Sequence, residues 1–276
     1  MSVDLRENCS MHLKMNDNAA NKTVLNSISG HSDGTAQRNT NILSSAGKIN
    51  QSLRSDDAIP DYITVLDGAY GIMSFAVAFW VKLSDYNNDG SFVVQRTDSG
   101  NEGIWAVRFS AAKRIHFYDY DAGYGINLQT DINAIPDDGD WHQIICQRVH
   151  NTNASAHIWI DNGNTLYASQ TGRPKKSIQT HPTHIGANFS GGDPIDAYFD
   201  CFGFWVDKVL TQAERDFLWN SGYGTEKLMD MSIGLTSLYS KSSLIGTPSS
   251  KSKLIAVPSS KSRLTISTIG AKKAYG

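Results

Sequence analysis

Phe75-Ala76-Val77-Ala78-Phe79-Trp80-Val81-Lys82-Leu83 decides how the rest of the chain is read. The stretch is apolar, rich in Val and aromatic residues, and ends at the polar cluster Asn87-Asn88-Asp89-Gly90. Period-two segments of the same kind recur at Met11–Met15, Tyr62–Leu66, Phe92–Gln95, Trp105–Phe109, Arg114–Tyr118, Gln143–Val149 and Ala156–Ile160. Alternation of this kind is what half-buried strands require. Further turn clusters, Asp137-Asp138-Gly139-Asp140 and Asp161-Asn162-Gly163, separate them. Many short strands at this spacing predict an all-β fold, a two-sheet antiparallel jelly-roll sandwich.

One helix is signalled near the end of this region. Thr211-Gln212-Ala213-Glu214 is a capping box, in which the Thr hydroxyl and the Glu carboxylate each satisfy an orphan backbone N–H. Ala213, Phe217 and Leu218 supply an apolar stripe, Gly222 reads as the stop, and the helix is expected against one edge of the sandwich.

From residue 240 the character changes to a ten-residue repeat in which Lys241, Lys251 and Lys261 align, as do Leu244, Leu254 and Leu264. So short a unit cannot bury a core of its own, which predicts an extended arm. The chain therefore divides into a sandwich over 1–232 and a basic tail over 233–276. Seven of the 25 basic residues and none of the 27 acidic ones lie beyond residue 235, so the part before it carries a formal charge of −9. An acidic body with a basic arm is a statement about partners rather than fold. The arm lacks interleaved aromatics, so specific nucleic-acid recognition is not expected of it. Its Ser/Leu/Ile segments suit strand addition to another subunit, and the six aligned Lys and Leu residues are the candidate assembly contacts.

Three widely spaced cysteines, Cys9, Cys146 and Cys201, speak against a disulfide framework or a Cys-x-x-Cys zinc site. The start shows no basic region followed by an apolar one, so no signal peptide is expected. No apolar run reaches the eighteen or so residues of a membrane helix, and membrane insertion is not expected.

Several landmarks then occur in a familiar order. His12-Leu13-Lys14-Met15-Asn16 precedes Ser29-Gly30 and Gly34-Thr35; Asp61-Tyr62-Ile63-Thr64-Val65 follows, then the Phe79-Trp80-Val81 strand. Trp141-His142-Gln143-Ile144 and Ala156-His157-Ile158-Trp159-Ile160-Asp161-Asn162 come next, and Phe199-Asp200, Gly203-Phe204-Trp205 and Val209-Leu210-Thr211 close the series. Over residues 10–225 this resembles the laminin-G-like, concanavalin A-like lectin family. The resemblance implies two stacked antiparallel sheets, with Trp80, Trp141, Trp159 and Trp205 as core aromatics. It also implies that a calcium ion is often held in loops at the rim of the sandwich.

Chemistry is sparse. Laminarinase-type hydrolases share this sandwich and need paired carboxylates, but glutamates occur only at 7, 102, 214 and 226, with no Glu-x-Asp-x-Glu run. Gly30-His31-Ser32-Asp33-Gly34 matches a nucleophile elbow without the helix that should follow, and reads as a polar loop. Asp85 to Gly90 opens like a calcium loop, but Arg96 stands where the bidentate Glu belongs, so it reads as a hairpin turn. His181 and His184 flank a proline and make a weak metal pair. For calcium the candidates are Asp119, Asp121, Asp193 and Asp196, with solvated turn residues as the alternative.

For sugars the useful surface is an aromatic face beside planar polar groups. Tyr118, Tyr120 and Tyr124 have that character, and alternation puts His116, Tyr118 and Tyr120 opposite Ile115 and Phe117. The expected function is thus non-enzymatic. It is a lectin-like domain contacting glycans or proteins, carried on a virion or extracellular surface and tied by its tail to other copies or subunits. A phage decoration or fibre-associated protein is the first expectation. A bacterial adhesin or carbohydrate-binding accessory module is the alternative, and an unrecognised glycan hydrolase comes third.

Overall fold

A computed structural model describes residues 3–69, 71, 73–96, 103–120, 124–150, 154–161, 166–173 and 178–229, with backbone alone at 124, 154, 172 and 173. The chain divides into units Met1–Met231 and Ser232–Gly276. The second unit, including Lys241, Leu244, Lys251, Leu254, Lys261 and Leu264, lies outside the described residues.

The strands are β1 (Cys9–Leu13), β2 (Thr23–Val24), β3 (Gly34–Ala36), β4 (Ser44–Ala46), β5 (Gln51–Ser55), β6 (Ile63–Val65), β7 (Phe75–Leu83) and β8 (Gly90–Gln95). They continue with β9 (Ile104–Ser110), β10 (Arg114–Tyr120), β11 (Tyr124–Gln129), β12 (His142–Val149), β13 (Ala154–Ile160), β14 (Leu166–Arg173), β15 (Thr183–Ile185) and β16 (Ala197–Val206). A single turn, α1 (Thr40–Leu43), precedes β4, and α2 (Gln212–Trp219) follows β16. One sheet runs β14-β13-β12-β7-β16-β5-β4, with β1 also on β16, and the other runs β11-β10-β9-β8-β15-β6-β3-β2. This is the antiparallel two-sheet sandwich that the alternating pattern predicts.

Between the sheets lies a core of alternate side chains, among them Phe75, Phe79, Phe92, Trp105, Phe117 and Phe204. Trp105 stacks on Phe204 with ring centroids 5.2 Å apart. Its indole N–H donates to Gln95 Oε1 at 2.6 Å, and Gln95 in turn donates to the backbone of Ala69 and Gln179. That buried amide is fully satisfied, as burial demands.

A second apolar layer covers the outer side of the first sheet. Ala76, Ala78, Ile145, Trp159 and Trp205 point outward there and are roofed by Leu5, Leu210 and Leu218, with Phe217 partly buried beside them. So α2 packs on a sheet face and not at an edge, because alternation fills both sides of β7, β12 and β16. The helix contributes Phe217 and Leu218 to this layer, with Leu210 just before its cap, while Ala213 is exposed. The capping box is present as predicted, but the helix stops at Asn220, whose φ of 47° takes the left-handed role; Gly222 falls in the turn beyond. Trp80 and Trp205 are fully buried and Trp159 nearly so, whereas Trp141 is only half-buried.

The sandwich is closed along both sides. On one, the Asn127 N–H donates to Gln170 Oε1 at 2.8 Å, which ties β11 to β14. On the other, the His12 N–H donates to Asn26 Oδ1 at 3.0 Å and Leu13 bridges Asn26, which ties β1 to the chain after β2. The Asp85–Gly90 stretch joins β7 in one sheet to β8 in the other, so it is an arch and not a hairpin. Turn residues mark where a chain reverses; they do not state which sheet receives the next strand.

Candidate functional site

Among the described residues, the outer face of the second sheet carries no helix like the one that roofs the first. Its middle is built by β8 to β11, whose register is set by their antiparallel pairing. Val94, Ala106, Tyr118 and Asn127 form one row across the four strands, and Arg108, His116 and Gln129 form the next. Tyr120 lies opposite Ile104 on one side and Tyr124 on the other. Inward, the same strands send Val107, Phe109, Ile115 and Phe117 to the core. The burial of β10 alternates residue by residue, with His116, Tyr118 and Tyr120 on the half-exposed side.

Val94, Ala106 and Ile104 face outward yet are buried, and they belong to neither apolar core. They make a low aliphatic floor. Beside it rises the His116–Tyr118 pair, ring centroids 4.7 Å apart. The Nε2 of His116 lies 2.7 Å from Asn127 Oδ1. Across the floor, His184 on β15 is buried between Tyr62 and Phe189, each edge-on to it at 5.7 Å. Burial lowers the pKa of His184, and its Nδ1 lies 3.2 Å from Thr64 Oγ1. This is the environment of a neutral packed imidazole.

Of the sequence candidates, Tyr118 and Tyr120 share this face and Tyr124 begins the strand beside it. The carboxylates do not join them. Asp119 points into the core, where it pairs with Arg148 at 3.2 Å and accepts from the Ile126 N–H at 2.5 Å. Asp193 pairs with Arg108 at 3.1 Å, and Asp196 accepts three hydrogen bonds from Arg54, each at 3.1 Å. Asp121 lies outside the described residues. Each described candidate is thus turned to its own guanidinium, a donor set that does not suit calcium, which takes six to eight oxygens. Among the described residues no three His, Cys, Asp or Glu side chains gather as a metal site.

Other sequence patterns resolve into structure. Ser32 and Asp33 sit in a loop that leads into a strand: Ser32 N–H donates to Asp67, and Asp33 accepts from Asn26 N–H. All three cysteines are free thiols. The flank of arginines, Arg108 and Arg114, is not among the sequence candidates. The spacing Arg114-x-His116-x-Tyr118-x-Tyr120 already puts Arg114 on the tyrosine face, but which residue of β9 stands beside them follows only from register.

The family described as the concanavalin A-like lectin/glucanases superfamily, laminin-G type 3, matches residues 56–214. No curated protein matches the sequence. Among solved structures, the binding domain of Paraclostridial Mosquitocidal Protein 1 superposes with a TM-score of 0.59 at 15% identity, over 79% of this chain and 53% of that one. Domain 4 of AbnA, a GH43 extracellular arabinanase from Geobacillus stearothermophilus solved in complex with arabinotriose, gives 0.57 at 14%, over 75% and 96%. The binding domain of botulinum neurotoxin DC, solved in complex with rat synaptotagmin II, gives 0.58 at 14%, over 79% and 52%. This chain spans about half the length of the two toxin domains, and at such identities the likeness is one of fold. With a family match over more than half of its residues, and with the sheets stacked as that family requires, the chain belongs to the concanavalin A-like lectin/glucanases superfamily.

Proposed function

We propose that this protein is a non-enzymatic glycan-binding module and that the outer face of β8 to β11 is its binding surface. The observation that carries the reading is the outward side of β10, where His116, Tyr118 and Tyr120 stand in line beside a buried aliphatic floor. Aromatic faces suit the apolar faces of sugar rings, and the amides of Asn127 and Gln129 at the edge suit hydroxyl rims. Along β8 to β11 no outward position of the ladders is an Asp or Glu. Glycoside hydrolysis needs two carboxylates flanking the scissile bond, so this face supports binding rather than cleavage.

The test is glycan-array binding of the full chain, with and without calcium, beside Tyr118→Ala. Binding by the native chain, lost in the variant while its fold persists, supports the reading. Equal binding by both sinks this face as the site. Calcium-dependent binding would require ligands other than Asp119, Asp193 and Asp196.

The wider role we propose is display on a virion, as a decoration or fibre-associated protein, with residues 233–276 tying the domain to the assembly. The support is the division into an acidic body and a basic ten-residue repeat. Replacing Lys241, Lys251 and Lys261 by Ala in the full chain should weaken assembly in sedimentation; unchanged assembly removes the idea. A second reading, an accessory carbohydrate-binding module, is favoured by the match to nearly the whole of the arabinanase domain, 96% of its length.

A further inference from the structure

Most arginines of the body are closed on carboxylates. Arg38 pairs with the buried Asp61, Arg54 with Asp196 and Arg148 with Asp119. Arg114 differs. It opens β10 on the outward side, two residues before His116. Among the described residues its Nη1 reaches only Gln129 Oε1, at 3.4 Å, and its Nε is shielded from solvent without a hydrogen-bond acceptor. Among the described residues it makes no ion pair. A guanidinium fork left in this state is suited to a planar anion that can fill it.

Its surroundings have the same character. Arg108 stands directly opposite His116 in the ladder, about 5 Å away across the strands, and Arg114 lies about 7 Å along its own strand. Arg108 has a partner, Asp193, at 3.1 Å, but Asp193 is half-exposed, and a rim pair of that kind exchanges at little cost. The groups facing His116 are therefore Arg108 from β9, Arg114 and the phenol of Tyr118 on β10, and the neutral amides of Asn127 and Gln129 from β11. In a body of formal charge −9 this is a local concentration of positive charge, with Asp193 at the rim and no Asp or Glu at the outward ladder positions of β8 to β11.

We infer that this face takes acidic saccharides, holding a sugar carboxylate at Arg114, His116 and Arg108 while the ring rests on Tyr118. The inference rests on the glycan-binding reading and narrows it to one chemical class. From Arg114 to Tyr120 the outward positions span about 20 Å, enough for several sugar units. Burial first, and then Arg108, holds the His116 pKa below its ordinary value, with Asn127 opposing. An incoming carboxylate reverses that balance, so binding draws a proton onto the ring.

The decisive experiment is isothermal titration of the full chain with an oligogalacturonate, with the methyl ester of the same oligomer, and with dextran sulfate. The acid should bind at least tenfold more tightly than its ester. That advantage should vanish in Arg114→Gln, shrink as salt rises, and grow from pH 7.5 to pH 5.5 with proton uptake. Equal binding of acid and ester overturns the inference while leaving the glycan reading intact. Binding of neither removes both. Tight binding of dextran sulfate, undiminished in Arg114→Gln, would show general attraction for polyanions and also overturns it. Should Arg114→Gln fail to fold, the comparison of acid with ester on the native chain still decides.

Discussion

Arg148 and Asp119 form an ion pair inside the sandwich, Nη1 3.2 Å from Oδ2, with side chains only 1% and 2% exposed. The guanidinium comes from β12 of one sheet and the carboxylate from β10 of the other, so the pair ties the two layers directly beneath the tyrosine face. Burial pulls the Arg148 pKa below its ordinary value, and Asp119 opposes this. Removing one partner strands a buried charge, so Arg148→Met should cost about 3–5 kcal/mol in urea denaturation. The double variant Asp119→Leu/Arg148→Met should recover most of the loss, because an apolar pair of similar volume is often no less stable. It should not recover all, since the Ile126 N–H loses its 2.5 Å acceptor. A double variant as unstable as the single one would show that the charge pair is not the source of the cost.

That pair also shows where the sequence stops being legible. Strand periodicity in Phe75–Leu83 and Arg114–Tyr120 carries the fold, because each alternate apolar residue has only one face to go to. Asp119 falls in the same alternation as Ile115 and Phe117, so its inward direction was readable, but its partner was not. Arg148 is 29 residues away and meets it only once the sheets stack. The two- and three-residue strands β2, β3, β4 and β15 are too short to show any period. The candidate face divides in the same way. Tyr118 and Tyr120 follow from spacing within one strand, whereas Arg108 and the Val94–Ala106 floor follow from register between strands.

Tyr118 stands beside the buried Ala106 and packs on His116, 4.7 Å between ring centroids. Replacing it by Ala should remove the stacking surface and leave the core side of β10 untouched. Glycan affinity should fall at least tenfold, which corresponds to about 1.4 kcal/mol. Titration of native and variant chains checks this, with thermal melts to confirm that stability moves little. An unchanged affinity would move the site off β10.

Thr211 caps α2 through Glu214, whose carboxylate accepts from the Thr211 N–H at 2.8 Å and also pairs with Lys208 at 2.7 Å. The helix roofs Trp159 and Trp205 on the outer side of the first sheet, so fraying there exposes the second apolar layer. Thr211→Ala should therefore destabilise the fold by about 1 kcal/mol in denaturant. Glycan binding on the opposite sheet should be unaffected, and a change in affinity would mean that the two faces are coupled.

Asp200 is wholly buried on the outward side of β16, and burial pushes its pKa up to about 7. The Ile49 N–H donates to Oδ2 at 2.7 Å. The native state thus holds a proton here that the unfolded chain gives up near pH 4. Stability from this group is present below pH 4 and falls as pH rises toward 7. Asp200→Asn keeps an acceptor for Ile49 and removes the charge. It should raise stability above pH 7 by as much as about 4 kcal/mol and change little at pH 4. Urea melts across that range decide, and a uniform offset at both ends would show that the charge is not the cause.

His142 provides the complementary window. It is 4% exposed and lies between two carboxylates, with Nδ1 2.9 Å from Asp161 and Nε2 3.2 Å from Asp138. Burial alone would lower its pKa, but the two aspartates together outweigh it and the net direction is up. A histidine raised in the folded state contributes stability that is complete below the unfolded value near 6.5 and is lost as pH climbs through the folded one. The native chain should lose thermal stability from about pH 6.5 upward. His142→Gln should flatten that slope, lowering the melting temperature at pH 6 while converging with the native chain at high pH. Parallel curves would show that the imidazole between the β11–β12 arch and the end of β13 is neutral throughout, and that the two aspartates act only as hydrogen-bond acceptors.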